Sequence, residues 1–366
     1  MTGGAHASLH TPICDLFGVR YPIVQTGMGW VSGARLTAAT SAAGGLGILA
    51  SATMSYEELE QAITDVRSRT DMPFGVNLRS DQDDVIERVE LMIKRGVKVA
   101  SFAQAPSKDL IKRLKDGGLV TMPTIGAPRH AEKVAEWGVD AVIAQGHEGG
   151  GHTGAIATTL LLPQVCKAVD IPVLGAGGFN SGQGLVAALA YGAAGIAMGT
   201  RFLLTRESTV PDAVKQTYLG TPMTGTVVTH AVDGYPQRVI RTDLVEHLER
   251  AGTLSRMLRS MRHALAFQRH TGIGFMTMLR EGLAMRSSQG LTWGQMFMAA
   301  NAPMLTRASL VQGQTDSGVL PTGQVVGAIE ELPTVEELIG RIVDEARQTL
   351  DRLGAQDTPG SDRRSA

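Results

Sequence analysis

Only two cysteines, Cys14 and Cys166, occur in 366 residues. A disulfide framework, a CxxC redox pair and a thiolate metal site are excluded, and a reducing, cytoplasmic setting is the expectation. Charge of either sign is not in excess, since 34 basic residues face 35 acidic ones for a net charge of −1. Neither nucleic acid nor an anionic membrane is therefore expected as a general partner. No apolar run reaches the roughly 18 residues that span a bilayer, and the opening MTGGAHASLH lacks the basic and apolar regions of a secretory signal. Missing too are a GxSxG nucleophile elbow, a strand-end lysine placed for Schiff-base chemistry, and a His/Asp/Glu set with metal-ligand spacing. No metal is expected.

What is present in excess is glycine, 44 residues or about 12 %, where an ordinary chain carries roughly 7 %. Hydrophobic residues at 43 % and charged residues at 19 % describe a folded chain with a full core. Between positions 20 and 220 short β-branched runs alternate with amphipathic stretches. The runs are Pro22–Gly27, Leu46–Ala50, Phe74–Leu78, Val97–Ala103, Leu119–Ile125, Ala141–Gly146, Ile171–Gly178 and Gly195–Phe202. Eight strand-helix units in a row predict an α/β fold, the (β/α)8 TIM barrel. A doubly wound sheet would place its glycine fingerprint after the first strand, and Gly27-Met28-Gly29-Trp30 does not complete one.

The expected organisation is a barrel domain of residues 12–225 and 311–353, an inserted helical subdomain at 238–310 near the C-terminus, and a disordered tail at 354–366. Residues 238–286 hold nine arginines, four acidic residues and no lysine. That is either a solvated helical face or a dock for a phosphate-bearing ligand tail. The last helix is expected at Thr334–Leu353, with Glu336 and Glu337 in its first turn.

Thirteen of the 44 glycines fall between Asp140 and Thr200, the stretch that carries the loops expected after strands six, seven and eight. Gly175, Gly177 and Gly178 after strand seven, with Met198, Gly199 and Thr200 at the end of strand eight, have the composition of a barrel phosphate site, followed by a helix signal at Ser181–Tyr191. Glycine serves there because a Cβ would hold the backbone away from the anion. The loop Gln145–Gly154 places His147, Glu148 and His152 among five glycines. An imidazole exchanges protons near neutral pH, which makes His152 the candidate general acid or base. With no protein nucleophile or metal in prospect, the chemistry falls to a bound cofactor, and a phosphate site beside a glycine-rich wall suits FMN.

The ordered segments PIVQTGM at Pro22–Met28, AGGLGILA at Ala43–Ala50, PFGVNL at Pro73–Leu78, AQGHEGGGHTG at Ala144–Gly154, PVLGAGG at Pro172–Gly178 and AMGTRFLLTRES at Ala197–Ser208 resemble the nitronate monooxygenase (2-nitropropane dioxygenase) family. The resemblance runs from about residue 12 to about 340. It implies a barrel that binds FMN, with Gly27 and Met28 at the isoalloxazine, Asn77 and Gln145 hydrogen-bonding the ring or ribityl chain, and Gly150 and Gly151 lining the cofactor. It further implies that Gly177, Gly178, Gly199 and Thr200 hold the phosphate with Gly175 close by, and that His152 serves as base toward a nitronate or orients substrate. One departure is Gly149, where the family usually has alanine. The segments Gln25–Leu36 and Val311–Gly327 look closer to an actinobacterial branch of flavin reductases in steroid-ring degradation, which implies NAD(P)H as reductant and an acyl-CoA thioester as substrate. The partners expected are thus a small molecule, either a nitronate or an acyl-CoA thioester, and a second copy of the chain in a homodimer. An inosine-monophosphate-dehydrogenase-like barrel shares the phosphate-loop pattern but needs a cysteine after strand six, where this chain has none.

Overall fold

The run Leu46–Ala50 is buried at all five positions. A strand with no solvent face must be covered on both sides, as parallel strands of α/β proteins are. The computed structural model describes residues 9–250 and 293–356. It gathers eight such strands into one closed parallel barrel: β1 (Ile23–Gln25), β2 (Leu46–Ala50), β3 (Phe74–Leu78), β4 (Val99–Phe102), β5 (Val120–Ile125), β6 (Val142–Gln145), β8 (Val173–Ala176) and β9 (Gly195–Met198). Closure comes from β1 lying between β2 and β9, with Val24 opposite Leu46 on one side and Ala197 on the other. Each strand lies inside one of the eight runs read from the sequence, and the fold is a (β/α)8 barrel.

The barrel helices form where caps and apolar spacing agree. Ser55 and Glu58 make a reciprocal capping box, and the helix Tyr56–Arg67 that follows buries Leu59, Ile63 and Val66. Ser107 caps Lys108–Asp116 more simply, its Oγ accepting the Leu110 N–H at 3.3 Å, over buried Leu110, Ile111 and Leu114. Inside, Val24, Leu46, Ile48, Val99, Met122, Ile143, Leu174 and Ala197 pack into one cluster, joined by Ile13, Cys14 and Phe17 of the helix Pro12–Phe17.

By its internal contacts the chain divides into two units. The first comprises residues to His147, Gly154–Thr209 and the chain from Glu331; the second comprises Glu148–Thr153 and Val210–Glu330. In the first unit the C-terminal helix Val335–Gln356 packs on Gly182–Ala190, where a Cβ at Gly182 would stand 2.3 Å from the Ala346 nitrogen. Helix continues through Gly354, Ala355 and Gln356, which corrects the expected start of the tail. The rest of that tail, from 357, lies outside the described residues.

The second unit holds an antiparallel sheet in the order β10 (Thr226–Thr229), β11 (Gln237–Ile240), β7 (Gly151–His152). Its core joins Val232, Val239 and Val245 to Ala302 and Val319. The same unit holds helices at Asp243–Arg250 and Trp293–Leu310, and its strands at 226–240 have no counterpart in the sequence reading. Arginines 256, 259, 262, 269, 280 and 286 lie outside the described residues. Among the described residues no helix is long and apolar enough to cross a membrane, and no three His, Cys, Asp or Glu side chains form a metal-binding group.

Candidate active site

Parallel strands emerge with their C-terminal ends on one face, where barrels assemble their sites. Gly27, Met28, Asn77, Gln145, Gly177, Gly178, Met198, Gly199 and Thr200 all lie on that side of the first unit. The turn after β1 is pinned by hydrogen bonds. Thr26 donates its N–H to the Met198 carbonyl at 3.1 Å, and the Met28 N–H donates to Ser32 Oγ at 2.9 Å, a hydroxyl that in turn donates to the Thr26 carbonyl at 2.9 Å. This brings predicted residues together in two pairs. A Cβ on Gly27 would stand 2.4 Å from the Asn77 Cβ, and one on Gly199 would stand 3.4 Å from the Met28 sulfur.

Gly177 and Gly178 leave β8 with φ of +97° and +84°, a conformation costly for any residue with a Cβ. Thr158 fixes the turn by donating its hydroxyl to the Gly177 carbonyl at 3.0 Å. On the adjacent strand, Gly199 and Thr200 open the short helix Thr200–Leu203. Glycines thus stand at the ends of two neighbouring strands, where a backbone without Cβ atoms can approach an anion closely. The helix after Ser181 has a different role. Its Gly182 N–H donates to Glu345 at 2.9 Å and its Gly184 N–H to Ser181 Oγ at 3.2 Å, so protein acceptors already occupy that N-terminus. Gly175 sits within β8, where a Cβ would meet Leu162 at 2.7 Å and the Phe179 ring at 2.9 Å; packing requires glycine there.

The histidine-bearing loop divides between the units. His147, in the first, donates Nδ1–H to the Gly154 carbonyl at 2.8 Å, closing the loop on itself. In the second, the Glu148 carbonyl accepts the Gln324 N–H at 2.9 Å. A Cβ at Gly150 would strike the Thr322 carbonyl carbon at 2.4 Å, so that approach requires glycine. Gly151 and His152 then pair with Arg238 and Gln237 of β11. The His152 side chain is 64 % exposed, and its Nε2 lies 2.7 Å from Oδ2 of Asp233, whose side chain is only 9 % exposed. Tyr235 donates its N–H to Asp233 Oδ1 at 3.0 Å, and the Gln237 amide donates to Oδ2. Burial pushes the Asp233 carboxyl upward. The hydrogen bond and charge of His152, with the Tyr235 and Gln237 donors, outweigh it and hold the group below its ordinary value. The Tyr235 ring stands edge-on to His152, 6.1 Å between centroids. Burial likewise lowers the Arg238 guanidinium, opposed by Glu148.

Asp233, Tyr235 and Gln237 escaped the sequence reading. Asp-Gly at 233–234 between two β-rich runs is a hairpin signal, but 81 residues separate Asp233 from His152 and nothing in the spacing links them.

The family model described as nitronate monooxygenase matches residues 10–345. Two curated relatives bear the name (3aS,4S,5R,7aS)-5-hydroxy-7a-methyl-1-oxo-octahydro-1H-indene-4-carboxyl-CoA dehydrogenase. The one from Rhodococcus jostii is 57 % identical and the one from Mycobacterium tuberculosis 58 %, each alignment covering 95 % of this chain and 99 % of the relative. Among solved structures, FabK from Thermotoga maritima superposes with a TM-score of 0.77 at 31 % identity, over 95 % of this chain and 99 % of that one.

Proposed function

The chain belongs to the nitronate monooxygenase family, and from that premise we propose that it is an FMN-dependent oxidoreductase acting on a bicyclic carboxyl-CoA thioester of the octahydroindene type. The observation that carries the proposal is near full-length identity of 57–58 % to two dehydrogenases named for such a substrate. That degree of likeness favours the acyl-CoA reading over nitronate oxidation, the other expectation from the sequence.

The barrel's own residues support the cofactor. Gly177, Gly178, Gly199 and Thr200 would hold its phosphate, Gly27 and Met28 would meet the ring, and Asn77 and Gln145 would hydrogen-bond it. When bound, FMN supplies a two-electron acceptor for a hydride, with a nicotinamide as second electron carrier. The protein's own task is the proton. A thioester acidifies the hydrogen on its α carbon, so removing two hydrogens beside it calls for a base, and we assign that part to His152.

Anaerobic mixing of the flavin-loaded protein tests the assignment. The expected result is bleaching of the flavin by an octahydroindene carboxyl-CoA thioester, electron exchange with NADH or NADPH, and no bleaching by propionate-3-nitronate. Bleaching by the nitronate with the thioester inert would overturn it.

A further inference from the structure

The pair formed by His152 and Asp233 has a chemical direction. An ionised carboxylate only accepts hydrogen bonds, so at 2.7 Å the proton between the two groups belongs to Nε2 of the imidazole. The neutral ring then carries its lone pair on Nδ1. Gln237 Nε2, 3.2 Å from His152 Nε2, does not compete, because both nitrogens donate to the same Asp233 oxygen. The opposite tautomer would set an imidazole lone pair against that carboxylate oxygen. The backbone enforces the approach: β7 holds His152 opposite Gln237, and Asp233 lies in the turn joining β10 to β11, where Gly234 takes a φ of +89°.

We propose that Asp233 is a positioning residue that fixes the tautomer of His152 and makes Nδ1 its working nitrogen, an inference that rests on His152 exchanging a proton with substrate. When Nδ1 takes that proton, the electron pair stays on the substrate carbon and the ring becomes a cation. The buried carboxylate lies against the opposite nitrogen to balance the charge. Tyr235 and Gln237 keep the carboxylate ionised and oriented by donating to its two oxygens.

Asp233→Asn tests this. Tyr235 N–H requires an oxygen at the Oδ1 position, which puts the new amide group at the Oδ2 position, beside His152 Nε2. The amide would donate to Nε2 and drive the ring proton to Nδ1. Nitrogen-15 spectra of histidine-labelled protein should show Nε2–H for His152 in the parent chain and Nδ1–H in the variant. Turnover should fall about 10- to 100-fold, the scale of one hydrogen bond to a charged group, with flavin content unchanged. In a His152→Ala background the same substitution should cost nothing further. An Nδ1–H ring in the parent protein would overturn the proposal without any variant, as would an equal loss of turnover with and without His152. Full turnover of His152→Ala alone would instead sink the proton-exchange reading, while the spectra still report on Asp233.

Discussion

Gly27→Ala separates packing from cofactor binding at the end of the barrel. The added Cβ would stand 2.4 Å from the Asn77 Cβ and 3.0 Å from its Cγ, whereas carbon atoms in contact sit about 3.5–4.0 Å apart. At least about 1.1 Å must be found. Rotation of Asn77 cannot supply it, because a Cβ is fixed by its own backbone, and β3 is paired through Asn77 to Ala50 on one side and Ser101 on the other. The strands must shift, at a cost typical of overpacking, about 1–3 kcal/mol. At about 2.1 cal/mol/K of unfolding entropy per residue, a 366-residue chain loses about 1–4 °C of Tm for that cost, readable by calorimetry on the apoprotein. If the Asn77 amide holds FMN, its displacement weakens binding by about 2- to 12-fold, the range for one net hydrogen bond, readable by flavin fluorescence. Adding Asn77→Gly removes the obstructing Cβ. The double variant should regain Tm to within the roughly 0.5–1 kcal/mol that glycine costs in a strand, yet keep the weakened FMN binding. An unchanged melt for Gly27→Ala would refute the packing argument, and parental FMN affinity in Asn77→Gly would remove Asn77 from the cofactor site.

Other outcomes are expected. His152→Ala should retain FMN and lose turnover by about 10² or more; flavin absorbance and steady-state rates read the two separately, and loss of FMN with unchanged chemistry per bound flavin would contradict the role. The Asp233 carboxyl is held below its ordinary value of about 3.9, so its contribution to stability is fully present above that pH and disappears as pH falls through the folded value. Denaturant titrations should therefore show the parent's advantage over Asp233→Asn at pH 6 shrinking toward pH 3, and an advantage that grows on acidification would be the wrong sign. Reversing the charge of Arg256, Arg259 and Arg262 together should weaken CoA thioester binding while leaving simple nitronates unaffected; equal effects on both would make these residues structural only.

Much of the barrel was legible because its strands are locally self-declaring. Leu46–Ala50 and Phe74–Leu78 are short, β-branched or apolar runs on either side of the capped amphipathic helix Tyr56–Arg67, and their boundaries in the structure coincide with those read from the sequence. The two-residue strand Gly151–His152 gave no such signal, since two residues carry no period. The glycines looked like one feature and are several. Gly177 and Gly178 answer to backbone conformation, but Gly150 and Gly175 answer to neighbours, Thr322 in one case and Leu162 with Phe179 in the other.

By itself the sequence determined what local chemistry can determine: a (β/α)8 barrel, the glycine-bearing strand ends suited to a phosphate, and a histidine among glycines as the candidate acid or base. Only the tertiary structure decided which partner orients that histidine. Asp233 reaches His152 because β11 brings a distant hairpin turn alongside β7, and a pairing made by strand register between remote segments leaves no trace in residue spacing.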